Sequence, residues 1–201
     1  MASEAGRTAI LIIDMQNDFC SREGAMAGLG FDTSRNRVVA GRLPAFVEAA
    51  GDLGALVVWV RQAGREELVS PARRERARAM NRGTMEVAAA GSWGADLAEG
   101  LSPQPGEPVV DKTRYSAFVG TPLHNLLRAQ GRDRLVVCGT AANVCVDSTI
   151  RDAYMADYTV TMASDLVGWT RPGLAASSIK NLQFYFCDVE DSASILSRWA
   201  R

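Results

Sequence analysis

Short apolar runs alternate with longer segments of helical periodicity along the whole chain. Six of these runs are rich in β-branched and aromatic residues, and we predict that they form β-strands. Their apolarity is nearly continuous, which indicates strands that are buried on both faces of a sheet. The predicted strands cover residues 8–13, 55–61, 108–111, 135–139, 158–162 and 184–189.

The segments between the strands carry the helical patterns. The predicted helices cover residues 34–53, about 123–130, 146–153 and 192–199. This βαβα order, with no repeat or Pro/Ser-rich linker, predicts one α/β domain over residues 1–201. We expect a three-layer αβα architecture, with a parallel six-stranded Rossmann-like sheet flanked by helices. Ligands of such sheets bind outside the carboxyl ends of the strands.

The composition of the chain indicates which classes of molecule this domain can bind. Hydrophobic residues make up 47% of the chain and charged residues 22%, which is typical of a globular protein. A formal net charge of −1 provides no positive field for nucleic acid or an anionic membrane. The apolar run near the amino terminus is interrupted at Asp14, too early for a signal sequence or a membrane span. We therefore expect a cytoplasmic protein that acts on a small molecule.

Polar residues with chemical potential follow three of the strands. Asp14 ends the first strand, Lys112 follows the third, and Cys145 lies after the fourth strand and Gly139. With Asn143 as the cap of the next helix, Cys145 would occupy its first turn, where the helix dipole favours a thiolate. Each residue taken alone has a simpler interpretation as well. Asp14 could be a turn or capping residue, Lys112 an exposed lysine and Cys145 an inert buried thiol.

The other three cysteines are predicted to serve in packing. Cys138 and Cys187 lie inside apolar runs, and no pair among Cys20, Cys138, Cys145 and Cys187 has CxxC spacing. Cys145 is therefore the candidate for a reactive thiol.

Three separated segments carry a family resemblance that covers nearly the whole chain. The segments are DMQNDF, DKTRYSAF with the following TPLHNLLRAQG, and CGTAANVCVDSTIRDAY. In order and spacing they resemble the isochorismatase-like cysteine hydrolases, and within them the ureidoacrylate and carbamoyl amidohydrolases. The resemblance implies a catalytic triad of Asp14, Lys112 and Cys145, and a cis peptide between Thr140 and Ala141. It also implies an oxyanion hole formed by the backbone N–H groups of Ala141 and Cys145, and a homo-oligomer, either a dimer or a tetramer.

The implied reaction is hydrolysis of a C–N bond in a small amide, ureido or carbamoyl compound through a covalent thioester. Asp14 would act as the general base for the thiol, and Lys112 would hold Asp14 ionised. Two alternatives stay open. One is cleavage of a vinyl ether, as by isochorismatase, in which Asp14 would matter most. The other is a non-catalytic protein that retains the fold.

The distribution of histidine argues against other chemistries. His124 is the only histidine and flanks an apolar helix stripe, so we predict a structural role for it. Cys–His and Ser–His–Asp catalysis therefore lack a base. Nicotinamidases of this superfamily bind a metal through an Asp-x-His pair and a further histidine, but the corresponding VRQAGREEL segment contains none. We predict no metal and no cofactor.

Candidate substrate-binding residues are aromatic or amide side chains near the strand ends. Gln62 is a candidate donor to a ureido carbonyl, whereas each aromatic residue is equally compatible with a core or a subunit interface. The candidates are Phe19, Gln62, Trp93, Tyr115 and Phe118, with Trp169 as a further aromatic residue.

The least regular stretch, residues 64–93, holds a dense run of arginines. Such a run is usually a solvated helix face, which we favour; the alternative is a lid or a subunit contact that lends an arginine to an anionic substrate. The arginines are Arg73, Arg74, Arg76, Arg78 and Arg82.

Overall fold

The apolar runs of the chain assemble into one parallel sheet. The computed structural model describes residues 3–79 and 87–201, and in these ranges six strands have the order β3-β2-β1-β4-β5-β6 with every neighbouring pair parallel. The predicted α/β fold is therefore confirmed. The strands are β1 (Thr8–Ile13), β2 (Leu56–Gln62), β3 (Val109–Lys112), β4 (Arg134–Gly139), β5 (Thr159–Val167) and β6 (Asp188–Glu190).

Helices cover both faces of this sheet. A π-helical turn, Ala142–Val146, leads directly into one of them, and short 3-10 turns cover Ala5–Arg7, Glu66–Leu68 and Trp93–Ala95. The α-helices are α1 (Asn17–Cys20), α2 (Ala25–Gly28), α3 (Ser34–Asp52), α4 (Pro71–Ala79), α5 (Leu123–Ala129), α6 (Asp147–Met155), α7 (Pro172–Tyr185) and α8 (Ser192–Trp199).

The alternation of side chains along the strands creates two separate hydrophobic cores. Leu11 of β1 packs in the core that contains Ile150 of α6, which we call the α6 face. Its neighbour Ile12 packs in the core that contains Leu43 of α3 and Ile195 of α8, which we call the α3 face. The chain thus forms the predicted three layers, with the sheet in the middle.

The prediction was wrong about the sixth strand. Residues 184–189 were expected to be extended, but α7 continues through Tyr185 and β6 covers only Asp188–Glu190. Phe184 and Tyr185 are exposed on the last turn of α7, so their aromatic character did not signal burial in a strand. Helix α7 itself was not predicted because only Ala175 and Leu182 are buried along it, which leaves a weak apolar stripe.

The strand order reverses between β1 and β4. β1 pairs with β2 on one side and with β4 on the other, so the connections leave the sheet in opposite directions at this point. A crevice at the carboxyl ends of such strands is the usual ligand site of an open α/β sheet. Within the described ranges, no helix is long and apolar enough to span a membrane.

Candidate active site

Asp14 lies directly after β1 at the carboxyl edge of the sheet. Its backbone adopts φ 52°, an uncommon conformation for a residue with a side chain. The backbone N–H of Asp14 donates to the Val60 carbonyl at 2.9 Å, which ties the bend to β2. Only 1% of Asp14 is exposed, so the bend directs a carboxylate into the protein and not into solvent.

Lys112 is the partner of this carboxylate. As the last residue of β3 it is also 1% exposed, and its Nζ lies 2.8 Å from Asp14 Oδ2. Nζ also donates to Gln62 Oε1 at 3.2 Å and to the Arg114 carbonyl at 3.1 Å. Three acceptors match the three donors of an ammonium group, which leaves Lys112 fixed in place.

The thiol of Cys145 lies beside this ion pair. Cys145 belongs to the α6-face core and is 8% exposed. It interacts electrostatically with both Asp14 and Lys112, so the three side chains form one cluster. Asp14 Oδ1 has no hydrogen-bond donor among the described residues, and it is the oxygen left over after Lys112 binds Oδ2.

Burial controls the protonation states in this cluster. It raises the pKa of the Cys145 thiol well above its usual value; Asp14 adds to the rise and Lys112 opposes it. Burial also raises the pKa of Asp14, against the attraction of Lys112. Desolvation lowers the pKa of Lys112, but the interactions with Asp14 and Cys145 raise it by more, so the pKa of Lys112 is raised overall. Lys112 is therefore a cation, and Cys145 rests as a thiol.

This finding differs from the expectation of a thiolate at the start of a helix. Cys145 lies in the π-helical turn Ala142–Val146, before α6 begins at Asp147. The thiol is enclosed by the core, and the loss of solvation raises its pKa. A thiol in this state would need a neighbouring base before it could act as a nucleophile.

The turn between β4 and Cys145 has an unusual backbone conformation at Gly139 and at the Thr140–Ala141 peptide bond. Gly139 has φ 103°, and a side chain there would meet the backbone of Ile13, with the nearest atom 2.1 Å from an added Cβ. The Thr140–Ala141 peptide bond is cis. In the described ranges the Ala141 N–H has no acceptor, whereas its carbonyl accepts from Val144 at 2.9 Å. The Ala141 N–H is therefore available to a ligand.

Residues 8–194 match the family model of the isochorismatase domain. The chain belongs to the isochorismatase family. A ureidoacrylate amidohydrolase of Methylorubrum extorquens is 32% identical over 206 aligned positions, which cover 96% of this chain and 83% of that protein. The predicted family resemblance is thus confirmed.

Two solved structures are similar over almost the full length of this isochorismatase-family protein. A cysteine hydrolase from Pseudomonas syringae pv. phaseolicola has a TM-score of 0.86 at 25% identity, covering 100% of this chain and 95% of that chain. N-carbamoylsarcosine amidase from Thermoplasma acidophilum has a TM-score of 0.75 at 25% identity, covering 92% of this chain and 96% of that chain. These similarities support a hydrolase.

Among the predicted substrate-binding residues, Gln62 contacts the cluster directly. Its Oε1 accepts from Lys112, so only its Nε2 can donate to a substrate. The backbone of Gln62 is held on both sides by Gln16, whose Nε2 donates to the Gln62 carbonyl at 2.9 Å and whose Oε1 accepts the Gln62 N–H at 2.8 Å. Gln16 was not predicted, although its position inside DMQNDF, after a buried strand, was the available signal.

The aromatic candidates are spread over the molecule. Trp93 and Tyr115 are 54% and 51% exposed, and Phe19 packs at the border of the α3 face. The Phe118 ring lies 5.7 Å from that of Tyr158, at the amino end of β5. Phe118 also packs against the α6-face core, which contains Cys145, and it stays a candidate for the pocket. Trp169 borders the α6 face.

The arginine-rich segment is described as far as Ala79. Helix α4 has no buried residue, and Arg73 Nη1 donates to the Thr113 carbonyl at 2.6 Å. The preceding carbonyl, that of Lys112, accepts from Ala63 beside β2. Because successive carbonyls of a strand point in opposite directions, Thr113 presents its carbonyl outwards and Arg73 covers the free edge of β3. Arg82 lies outside the described residues.

A cleft of about 280 Å³ opens beside β2; Gln62 is part of its lining, but Asp14, Lys112 and Cys145 are not. Its lining includes Arg61 and Asp111, which form a cross-strand ion pair at 2.8 Å. Arg61 alternates with Gln62 along β2 and therefore lies on the α3 side of the sheet, away from Cys145. Within the ranges that the structure describes, no three His, Cys, Asp or Glu residues are grouped to hold a metal ion.

Proposed function

We propose that this isochorismatase-family protein hydrolyses the C–N bond of a small amide, ureido or carbamoyl compound, with Cys145 as the nucleophile. The observation that carries the proposal is the buried cluster in which the Cys145 thiol adjoins the Asp14–Lys112 ion pair, joined at 2.8 Å. Removing two charges from water is costly, and hydrophobic residues in the same place are often as stable or more so. Chemistry at the thiol explains why the charges are there.

The first half of the reaction forms a covalent intermediate. Asp14 takes the thiol proton, and sulfur attacks the carbonyl carbon of the substrate. The negative charge on the carbonyl oxygen is stabilised by the backbone N–H groups of Ala141 and Cys145. The C–N bond then breaks, Asp14 returns its proton to the leaving nitrogen, and the acyl group remains on sulfur as a thioester.

The second half restores the enzyme. Asp14 accepts a proton from water as the water oxygen attacks the thioester carbon. The C–S bond breaks, the acid product leaves, and the proton passes from Asp14 back to sulfur. Throughout the cycle Lys112 balances whichever neighbour carries the negative charge, and no metal or cofactor takes part in these steps.

The substrate class follows from the relatives and from Gln62. The similar proteins include a ureidoacrylate amidohydrolase and an N-carbamoylsarcosine amidase, both named for substrates with a urea-type group. Gln62 holds its Oε1 on Lys112 and so presents Nε2 as a donor for a ureido oxygen. We propose that Phe19, Trp93, Tyr115 and Phe118 contact the rest of a small-molecule substrate in a cytoplasmic homo-oligomer.

A substrate panel tests this proposal. We expect ammonia release from one or more ureido acids or N-carbamoyl amino acids, and its loss in the Cys145→Ala variant. Cys187→Ala is the matched control, because its thiol is equally buried but lies away from the Asp14–Lys112 pair. Rapid acid quenching followed by peptide mass analysis should find the acyl group on Cys145. Pyruvate release from isochorismate that persists in Cys145→Ala would instead support ether cleavage and overturn the proposal.

A further inference from the structure

Asn36 is a fully buried amide that reaches the turn in front of Cys145. It lies in the first turn of α3, and both of its polar atoms are used in long-range contacts. Nδ2 donates to the Phe19 carbonyl at 2.7 Å, and Oδ1 accepts from Thr140 Oγ1 at 3.1 Å. One side chain therefore joins α1, α3 and the segment that precedes Ala141.

The same amide also packs against Gly168. A side chain at Gly168 would bring its Cβ to 2.1 Å from Asn36 Oδ1, so the space beside the amide is fully occupied. The Gly168 N–H donates to the Gly139 carbonyl at 2.9 Å, and its own carbonyl accepts from Ala142 at 2.9 Å. Asn36 thus touches the residues that fix the turn on either side of Ala141.

A purely structural role would be to attach α3 to the sheet, but a neighbouring residue already does this. Arg35 donates to the carbonyls of Val167 at 3.2 Å and Asp165 at 2.9 Å, at the end of β5. Helix α3 is also anchored by its apolar residues in the α3-face core. The contact between Asn36 and Thr140 is separate from this attachment, and it orients the Thr140 side chain.

We infer that Asn36 is a positioning residue, which acts through Thr140 to hold the Ala141 N–H where the oxyanion of the reaction develops. The inference rests on the proposed function. Ala141 follows Thr140 directly, so a shift of the Thr140 backbone moves the Ala141 N–H by a similar distance. A hydrogen-bond donor acts on a transition state only when it is placed to within a fraction of an ångström.

The test compares Asn36→Ala and Thr140→Val with Thr140→Ser, which keeps the hydroxyl group. We expect the first two variants to lower kcat by about tenfold to a hundredfold, with KM changed by less than about threefold, and Thr140→Ser to retain most of the activity. Iodoacetamide alkylation of Cys145 should proceed at the wild-type rate in all three variants. Alkylation takes place at a saturated carbon, where no oxyanion forms.

Two control variants separate positioning from stability. Thr8→Val removes another buried hydroxyl, which donates to the Glu4 carbonyl at 2.8 Å far from the cluster, and Arg35→Met removes the neighbouring anchor of α3. Equal losses of kcat in the controls, equal losses of kcat and alkylation in Asn36→Ala, or unchanged turnover in Thr140→Val would each overturn the inference. If Asn36→Ala does not fold, the comparison of Thr140→Val with Thr140→Ser tests the inference. Full turnover in Cys145→Ala would instead show that the proposed function has failed.

Discussion

An ion pair lies at each of the two edges of the sheet, and the two pairs differ in how far they are exposed to solvent. At the carboxyl edge, the side chains of Lys112 and Asp14 are 0% and 1% exposed. At the amino edge, Arg7 and Asp133 also form an ion pair between the beginnings of neighbouring strands, but their side chains are 49% and 45% exposed. The same chemical pairing is thus enclosed in protein at one end of β1 and left in water at the other.

The difference shows where the molecule tolerates an energetic cost. In an exposed ion pair, each charge exchanges interactions with water for an interaction of similar strength with its partner. The formation of such a pair therefore changes the stability of the fold by little. A buried ion pair loses the free energy of solvation of both charges, and the attraction between the charges need not compensate for this loss. If one partner is removed, the other is left as an unpaired buried charge. The carboxyl edge therefore contains groups whose removal has large effects, and the amino edge contains groups whose removal has small ones.

The largest expected effect is on turnover, and it breaks the carboxyl-edge cluster itself. Cys145→Ala and Asp14→Asn should each lower kcat by at least about a thousandfold, because each removes a member of one catalytic unit. The double variant should lose little more than either single variant. Steady-state kinetics on the substrate found in the panel measures this, with Cys187→Ala as the control. Multiplicative losses in the double variant would show that the two side chains act separately.

The sequence was sufficient to predict this cluster but not its protonation. Strands β1 and β4 were recognised because they are continuously apolar, and in a parallel sheet their ends must lie at one edge. The strand pattern placed Asp14, Lys112 and Cys145 at one edge of the sheet, and the family resemblance implied that they form a triad. The state of the thiol depends on how completely the α6-face core encloses it, and enclosure is a property of the assembled fold.

Contacts between distant segments also could not be predicted from the sequence. Asn36 meets Thr140 across more than a hundred residues, and nothing in its helical neighbourhood marks it as different from an exposed polar residue. Phe118 lies in a segment that resembles the family motif, and its ring lies 5.7 Å from that of Tyr158, a contact that the sequence did not indicate. Local pattern fixes which element a residue belongs to, but packing decides what its side chain touches.

The second expected effect is on stability, and it follows from a substitution that leaves one buried charge unpaired. Lys112→Met should lower the free energy of unfolding at neutral pH by about 3–5 kcal/mol, because the Asp14 carboxylate loses its partner. Lys180→Met is the matched control, since Lys180 is the only other lysine and is exposed on α7. Urea-induced unfolding followed by circular dichroism measures both variants.

The pH dependence of this loss has a definite sign. Burial raises the pKa of Asp14, Lys112 lowers it, and Lys112→Met therefore raises it further above the unfolded value. A group with a raised pKa in the folded state stabilises that state at low pH and loses this effect as the pH rises through the folded pKa. The defect of Lys112→Met should therefore shrink on acidification from neutral pH. A defect that grows on acidification would contradict the assignment.

The smallest expected effect is at the amino edge. Arg7 holds the pKa of Asp133 below its usual range, chiefly through its hydrogen bond to the carboxylate, so whatever stability the pair provides is present above the unfolded pKa and is lost as the pH falls through the folded pKa. Both side chains are well exposed and screened by salt, so Arg7→Gln should move the midpoint of thermal unfolding by less than about 2 °C. Asp133→Asn should behave alike, and both variants should keep wild-type turnover. A shift as large as that of Lys112→Met would mean that exposure does not distinguish the two edges.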